Sequence, residues 1–125
     1  MYVGMALASA VVAFHWIAND TSLYWIFRWL DIPVHMAGGF VASLGFIWLA
    51  AAILYFNRGI RLKANKAWFW GILGALVIGI LWEFLETAYG LSGLRGIYFL
   101  DTIADIFNDT IGGVLGIFFW QYLSK

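Results

Sequence analysis

The chain alternates between long apolar stretches and short polar connectors. Four stretches predict membrane-spanning helices, at about residues 2–18, 32–56, 67–89 and 98–123. A helix needs about 20 residues to cross the hydrocarbon core of a bilayer, and each stretch comes close to that length or exceeds it. The pattern therefore predicts an all-α integral membrane four-helix bundle, with residues 1–125 forming a single transmembrane domain.

The segment "TSLYWIFRWL", residues 21–30, lies between the first two predicted spans and is too short to cross. Its aromatic side chains and Arg28 are typical of the membrane–water interface, where Trp and Tyr rings are enriched. We therefore expect a short interfacial helix or a re-entrant segment here. The alternative is that these residues extend the first span.

Composition agrees with a membrane protein. Of the 125 residues, 64% are hydrophobic and only 11% are charged, and the mean hydropathy is +0.88. The absence of cysteine excludes disulfides, zinc–thiolate sites and a thiol nucleophile. The formal net charge is zero, so nothing indicates a nucleic-acid surface. The first twenty residues lack the basic region and cleavage site of a signal peptide, so we interpret them as a retained span.

The connector "NRGIRLKANK", residues 57–66, is the most basic loop and sets the predicted orientation. Arg58, Arg61, Lys63 and Lys66 place it in the cytoplasm by the positive-inside rule. Both termini then lie in the cytoplasm.

With this orientation, every acidic residue falls in the outer half of the membrane. The group comprises Asp20, Asp31, Glu83, Glu86, Asp101, Asp105 and Asp109, and His15 and His35 lie at the same level. Only Arg28 and Arg95 among the basic residues share that side. Polar chemistry is thus predicted at one end of the bundle.

Helical periodicity groups the polar residues into stripes that continue into small residues. On the last span the stripe contains Asp101, Asp105, Asn108, Asp109, Gly112 and Gly116. Small residues at every fourth position let membrane helices approach closely, so we expect them to pack the bundle below a polar pocket. Asp31 and Asp101 stand at span ends, where they could also act as solvated helix caps. Asp109 lies about 12 Å deeper than Asp101, so capping does not explain it.

Two basic side chains cannot neutralise this many carboxylates. Either several acids are protonated or a cation lies among them. Oxygen ligands with one or two imidazoles suit a divalent ion such as Mg²⁺, Mn²⁺, Ca²⁺ or Zn²⁺. The candidate metal ligands are Glu83, Glu86, Asp101, Asp105, Asp109, His35 and His15. The alternative for each histidine is a hydrogen-bonded side chain without a ligand role.

Three segments resemble the VanZ-like proteins and the related YjdF-like group, which are small prokaryotic membrane proteins of largely undefined activity. They are "DIPVHMAGGF", "LWEFLETAYG" and "RGIYFLDTIADIFNDTIGGVLG". VanZ-like proteins carry Asp-Lys-x-x-His, then Glu-x-x-Gln before an Arg, then Asp-x-x-x-Asn-x-x-Gly-x-x-x-Gly. The matching positions here are Asp31, His35, Glu86, Arg95, Asp105, Gly112 and Gly116.

The chain departs from this pattern at three points. Ile32 replaces the Lys, no Gln stands three residues after Glu86, and Asp109 stands where the family has Asn. The resemblance implies a multi-pass protein of a prokaryotic plasma membrane with one shared site, but it implies no reaction.

The favoured function is a metal-dependent hydrolase or transferase that acts on a lipid or lipid-linked head group in the outer leaflet. His35, Glu83 and Asp109 are its candidate catalytic residues, and Arg95 and Arg28 are candidates for binding an anionic head group. The alternatives are a cation-binding or proton-relay module without catalysis, and a structural membrane protein. Membrane lipids are the expected partners, and the bundle could also form a homodimer through its remaining glycine faces.

Overall fold

Helices make up almost all of the part of the chain that the computed structural model describes, residues 2–89 and 98–124. No strand occurs in these residues. The helices are α1 (Tyr2–Asp20), α2 (Leu23–Ile26), α3 (Asp31–Arg58), α4 (Ala64–Tyr89) and α5 (Tyr98–Leu123), with a 3₁₀ turn at Arg28–Leu30.

Three helices are long and apolar enough to cross a membrane, judged by length and composition. They are Arg28–Arg58, Ala64–Tyr89 and Phe99–Leu123, of which the first includes the 3₁₀ turn. The predicted segments 32–56, 67–89 and 98–123 coincide with them, so the all-helical class and three apolar helices are confirmed. Residues 2–18 fall within α1, which is not among the three, and a fourth span therefore stays a prediction.

The segment 21–30 is separate from α1, so the idea that it extends the first helix is wrong. Ser22 adopts a φ of 58°, in the left-handed region that few residues other than glycine occupy. A single turn of helix follows in α2, and the backbone turns again at Phe27 before α3 begins.

Helices α3 and α5 touch through their backbones and run parallel, because Gly39 lies against Asp109 and Ser43 lies against Gly116. A β-carbon at Gly39 would overlap the carbonyl group of Asp109, and one at Gly112 would overlap that of Met36. Any side chain at either position would force the two helices apart. The predicted role of small residues in close packing is confirmed at this contact.

Helix α4 runs antiparallel to α5. Three contacts show this: Gly71 lies against Ile117, Ala75 against Gly113, and Gly79 against Asp109. The residue numbers fall on α5 as they rise on α4. Ile47 and Ile117 are fully buried where the three helices meet. The start of α3, the end of α4 and the start of α5 therefore lie at one end of the bundle.

Candidate metal centre

Acidic residues from α3 and α5 surround the imidazole of His35, which is 3% exposed. Nε2 of His35 lies 3.6 Å from Oδ1 of Asp31 and 3.8 Å from Oδ1 of Asp105. Nδ1 lies 3.3 Å from Oδ2 of Asp109. We call Asp31, His35, Asp105 and Asp109 the His35 cluster.

Helix periodicity explains how these four side chains meet. Asp31 and His35 are four residues apart on α3, and Asp105 and Asp109 are four residues apart on α5, so each pair occupies one helix face. The backbone contact at Gly39 and Gly112 brings the two faces together. Sequence spacing alone gives the pairs, whereas the contact between them comes from helix packing.

The hydrogen bond to Asp109 sets the chemistry of the His35 ring. A carboxylate accepts hydrogen bonds, so Nδ1 of His35 donates to Oδ2 of Asp109. Nε2 is buried and has no hydrogen-bond partner among residues 2–89 and 98–124. In the neutral ring this nitrogen carries a lone pair that faces Asp31 and Asp105. Metal-binding histidines commonly show this arrangement, with a carboxylate holding the nitrogen that is not a ligand.

The spacing of the donor atoms fits a single ion. Asp31, His35 and Asp105 each offer one ligand atom, and these atoms lie within 4.8 Å of one another. Three ligand atoms that each lie about 2.1 Å from an ion are about 3.4–3.6 Å from one another, when the ligand–ion–ligand angles are between the tetrahedral and the trigonal value. The distances from Nε2 need only a small adjustment to reach these values. One imidazole and two carboxylates suit Zn²⁺ or Mn²⁺ best among the candidate ions.

Asp31 is the ligand candidate that sequence reasoning missed. The candidate ligands predicted from the sequence do not include it, although they include Asp101, which also stands at a span end. In the structure it is the first residue of α3 and lies against His35. The spacing of four residues between Asp31 and His35 was the signal that could have identified it.

Glu83 is buried near the end of α4 and contacts α5. Thr102 donates a hydrogen bond of 2.7 Å to Oε2 of Glu83. Its other oxygen, Oε1, is buried without a hydrogen-bond partner in the described residues. Glu83 does not belong to the group of three ligand atoms that could hold an ion. Among the described residues, it therefore offers one carboxyl oxygen, Oε1, that is not engaged in a hydrogen bond.

His15 and Glu86 form a second contact, between α1 and α4. Nε2 of His15 lies 3.5 Å from Oε1 of Glu86. Asn19 donates from Nδ2 to Nε2 of His15 at 2.8 Å, and Nδ1 of His15 is 3.1 Å from the Tyr24 hydroxyl. Trp82 donates from Nε1 to Oε1 of Glu86 at 3.0 Å. We call these five residues the His15 cluster.

Hydrogen bonds occupy both ring nitrogens of His15. Because Asn19 donates to Nε2, the proton of the neutral ring is on Nδ1, which donates to the Tyr24 oxygen. Burial raises the pKa of Tyr24, so the phenol stays neutral. No lone pair of His15 is left for an ion, and the structure brings neither His15 nor Glu86 into the group with Asp31, His35 and Asp105.

The remaining candidates lie outside both clusters. Asp101 is half-buried in the first turn of α5 and is not one of the three grouped ligands. Arg28 is exposed in the 3₁₀ turn and forms no ion pair within residues 2–89 and 98–124. Arg95 lies outside the described residues.

No family model, curated protein or solved structure matches the chain significantly. The resemblance to the VanZ-like and YjdF-like groups thus stays a prediction from the sequence motifs.

Proposed function

We propose that the chain is a multi-pass protein of a prokaryotic plasma membrane, in which α1 crosses as a fourth helix beside α3, α4 and α5. The apolar lengths of the three longer helices support insertion. Exposed apolar side chains on α1, such as Met5, Trp16 and Ile17, suit a lipid environment. The basic loop between α3 and α4 supports cytoplasmic termini.

Within this bundle, Asp31, His35 and Asp105 hold one divalent metal ion, with Zn²⁺ and Mn²⁺ the preferred candidates. The observation that carries this proposal is the orientation of His35. Its Nδ1 donates to Asp109, and its buried Nε2 faces two carboxylates without a hydrogen-bond partner in the described residues. A buried polar atom without a partner is costly, and an ion would satisfy it. Asp109 then orients the imidazole without binding the ion.

The site suits a hydrolase or transferase that acts on a lipid or lipid-linked head group in the outer leaflet. Three protein ligands leave coordination positions for water or substrate, as in catalytic metal sites. A divalent ion held there would polarise a phosphoryl or carbonyl oxygen and acidify a water molecule. Glu83 offers a buried carboxylate oxygen without a partner in the described residues, and that oxygen can take up a proton.

A cation-binding or proton-relay module without catalysis is the second candidate. The contact of His35 with three carboxylates favours it, because such a group can share protons. Against a path between α3, α4 and α5, glycine contacts hold these three helices together below the cluster, and Ile47 and Ile117 are fully buried there. These contacts favour a bound ion over a conducted one.

The metal content of the purified protein tests the proposed metal site. The purified wild-type protein, incubated with Zn²⁺ or Mn²⁺ and desalted, should hold one ion per chain. Asp105→Asn and Asp31→Asn should lose it, while Asp101→Asn, a matched change one turn from Asp105, should keep it. Thermal unfolding of each variant shows that loss of the ion does not reflect loss of fold. An equal loss in Asp101→Asn and Asp105→Asn, or no ion in the wild type, would overturn the proposal.

Turnover of a lipid tests the proposed hydrolase or transferase activity. Wild-type protein in liposomes should release or transfer the head group of an outer-leaflet lipid, and Glu83→Gln should retain the ion but lose turnover. Proton or cation flux without turnover, lost in His35→Ala, would instead establish the relay.

A further inference from the structure

A cavity of about 250 Å³ lies between α1 and the three core helices. Ala8 and Val11 line it from α1, Val41 and Ala42 from α3, and Ile78 from α4. These side chains are all apolar, so this part of the cavity, away from His35 and Asp109, offers little to a water molecule, which needs two to four polar partners. Apolar cavities of this kind stay dry and bind apolar molecules.

The cavity begins at the His35 cluster and runs into the depth of the bundle. His35 and Asp109 are part of its lining, and on α3 it extends from Val34 to Ala42. From His35 to Ala42 the helix rises by about 10 Å. Asp31 is the first residue of α3, so it lies on the side of His35 that is away from Ala42. One end of the cavity therefore meets the candidate metal centre, and the other lies among aliphatic side chains.

The dimensions suit a hydrocarbon chain. An apolar cavity of about 150 Å³ can hold benzene, so one of about 250 Å³ holds on the order of ten carbon atoms. In a bilayer the hydrocarbon chains of lipids surround the bundle, and Val12, a lining residue that is 42% exposed, lies where such a chain can reach the cavity. A lipid with its head group at the His35 cluster would have its chain pointing toward the bilayer centre, in the direction in which the cavity runs.

We propose that this cavity binds the acyl chain of the lipid whose head group reacts at the Asp31–His35–Asp105 site. This inference rests on the proposed function and narrows its substrate to acyl lipids, excluding free head groups. Val41 and Ala42 contact the chain, while His35 and Asp109 lie where the chain joins the head group.

The test uses a palmitoyl lysophospholipid that carries a photoreactive diazirine in its chain. With the full-length protein in detergent micelles, peptide mass spectrometry should locate labelling at cavity residues such as Val11 and Val41. An excess of unlabelled palmitoyl lysophospholipid should abolish it.

Substitutions that fill the cavity provide the decisive comparison. Ala8→Phe should lower the labelling at least tenfold with the metal content unchanged, and Val12→Phe, at a lining residue that is 42% exposed, should act in the same direction. Ala10→Phe, on the exposed face of α1, is the matched control and should label as the wild type does.

Two results separate this inference from the proposed function. Loss of the ion in Asp105→Asn, with labelling retained, supports both, whereas absence of the ion from the wild type overturns the proposed function alone. Equal labelling of Ala8→Phe and Ala10→Phe, or labelling that unlabelled lipid does not compete away, overturns the acyl-chain site even when the ion is bound.

Discussion

The carboxylate of Asp109 occupies space that only a glycine leaves open on α4. A β-carbon at Gly79 would lie 2.5 Å from Oδ2 of Asp109, the oxygen that accepts the hydrogen bond from His35. On the other side, a β-carbon at Gly38 would be in ordinary contact with Oδ1, at 3.6 Å. Gly79 on α4 thus leaves the space in which Asp109 holds the imidazole, whereas Gly38 does not restrict it.

Gly79→Ala should weaken metal binding without altering any ligand. The added methyl group displaces Oδ2 of Asp109, and the imidazole of His35 loses the partner that orients it. Loss of such a partner commonly lowers metal affinity by about 10–100-fold. Calorimetric titration with Zn²⁺ or Mn²⁺ measures the change. Gly45→Ala is the control, because no atom lies within 4 Å of a β-carbon there, and wild-type affinity in Gly79→Ala would contradict the role of Asp109.

Gly39→Ala should destabilise the fold itself. The new β-carbon overlaps the carbonyl group of Asp109, and a backbone atom cannot rotate away as a side chain can. Overpacking of this kind costs about 1–3 kcal/mol and sometimes more. Reversible unfolding in mixed micelles, followed by circular dichroism, gives the free energy of unfolding. Gly45→Ala should leave that free energy unchanged or raise it by up to about 1 kcal/mol. If Gly39→Ala and Gly45→Ala had equal free energies of unfolding, α3 and α5 would not be in the backbone contact described above.

His15→Ala should leave metal binding intact and loosen α1. The substitution removes the hydrogen-bond partner of the half-buried Tyr24 and a neighbour of Glu86, and loss of a hydrogen bond costs about 0.5–1.5 kcal/mol. Metal titration and limited proteolysis of α1 measure the two effects separately. His35→Ala is the comparison, since it should abolish binding. If His15→Ala abolished binding as well, the His15 cluster would be part of the metal centre.

Thr102→Val should destabilise the protein through Glu83. The threonine hydroxyl donates the hydrogen bond to Oε2, and its loss leaves the buried carboxyl group without a hydrogen bond from the described residues. We expect a cost of about 1–3 kcal/mol. In a double-mutant cycle with Glu83→Leu, the two changes should couple by about 0.5–3 kcal/mol. Once the acid is absent, Thr102→Val should lower the free energy of unfolding no further. Additive free energies of unfolding would contradict this pairing.

Sequence patterns predicted the helices well because an apolar run of membrane length has few alternatives to a helix. The segment 98–123 matches the bounds of α5, and 67–89 differs from α4 only at its start. Helix α4 begins three residues earlier, at Ala64, where the Lys63 carbonyl accepts hydrogen bonds from the amides of Lys66 and Ala67. Backbone hydrogen bonds of this kind are not reflected in the pattern of apolar residues, so that pattern does not reveal the first residue of the helix.

The site was less predictable because it depends on how the helices are rotated. Periodicity placed His35, Asp105 and Asp109 on inward faces, and the structure brings them together. It could not show that α1 presents His15 to Glu86, because that contact depends on the turn at Ser22 and on the rotation of α1 about its axis. Pooling all acids and histidines into one site therefore merged two clusters that the fold keeps apart.

The backbone contact between α3 and α5 makes the candidate site insensitive to the thickness of the membrane. Helices adapt to a thicker or thinner bilayer by tilting. Since these two touch at Gly39 and Gly112 through main-chain atoms, they must tilt as a pair, and the separation of the main chains that carry His35 and Asp105 is preserved. We therefore expect the same ligand geometry in bilayers of short-chain and long-chain lipids.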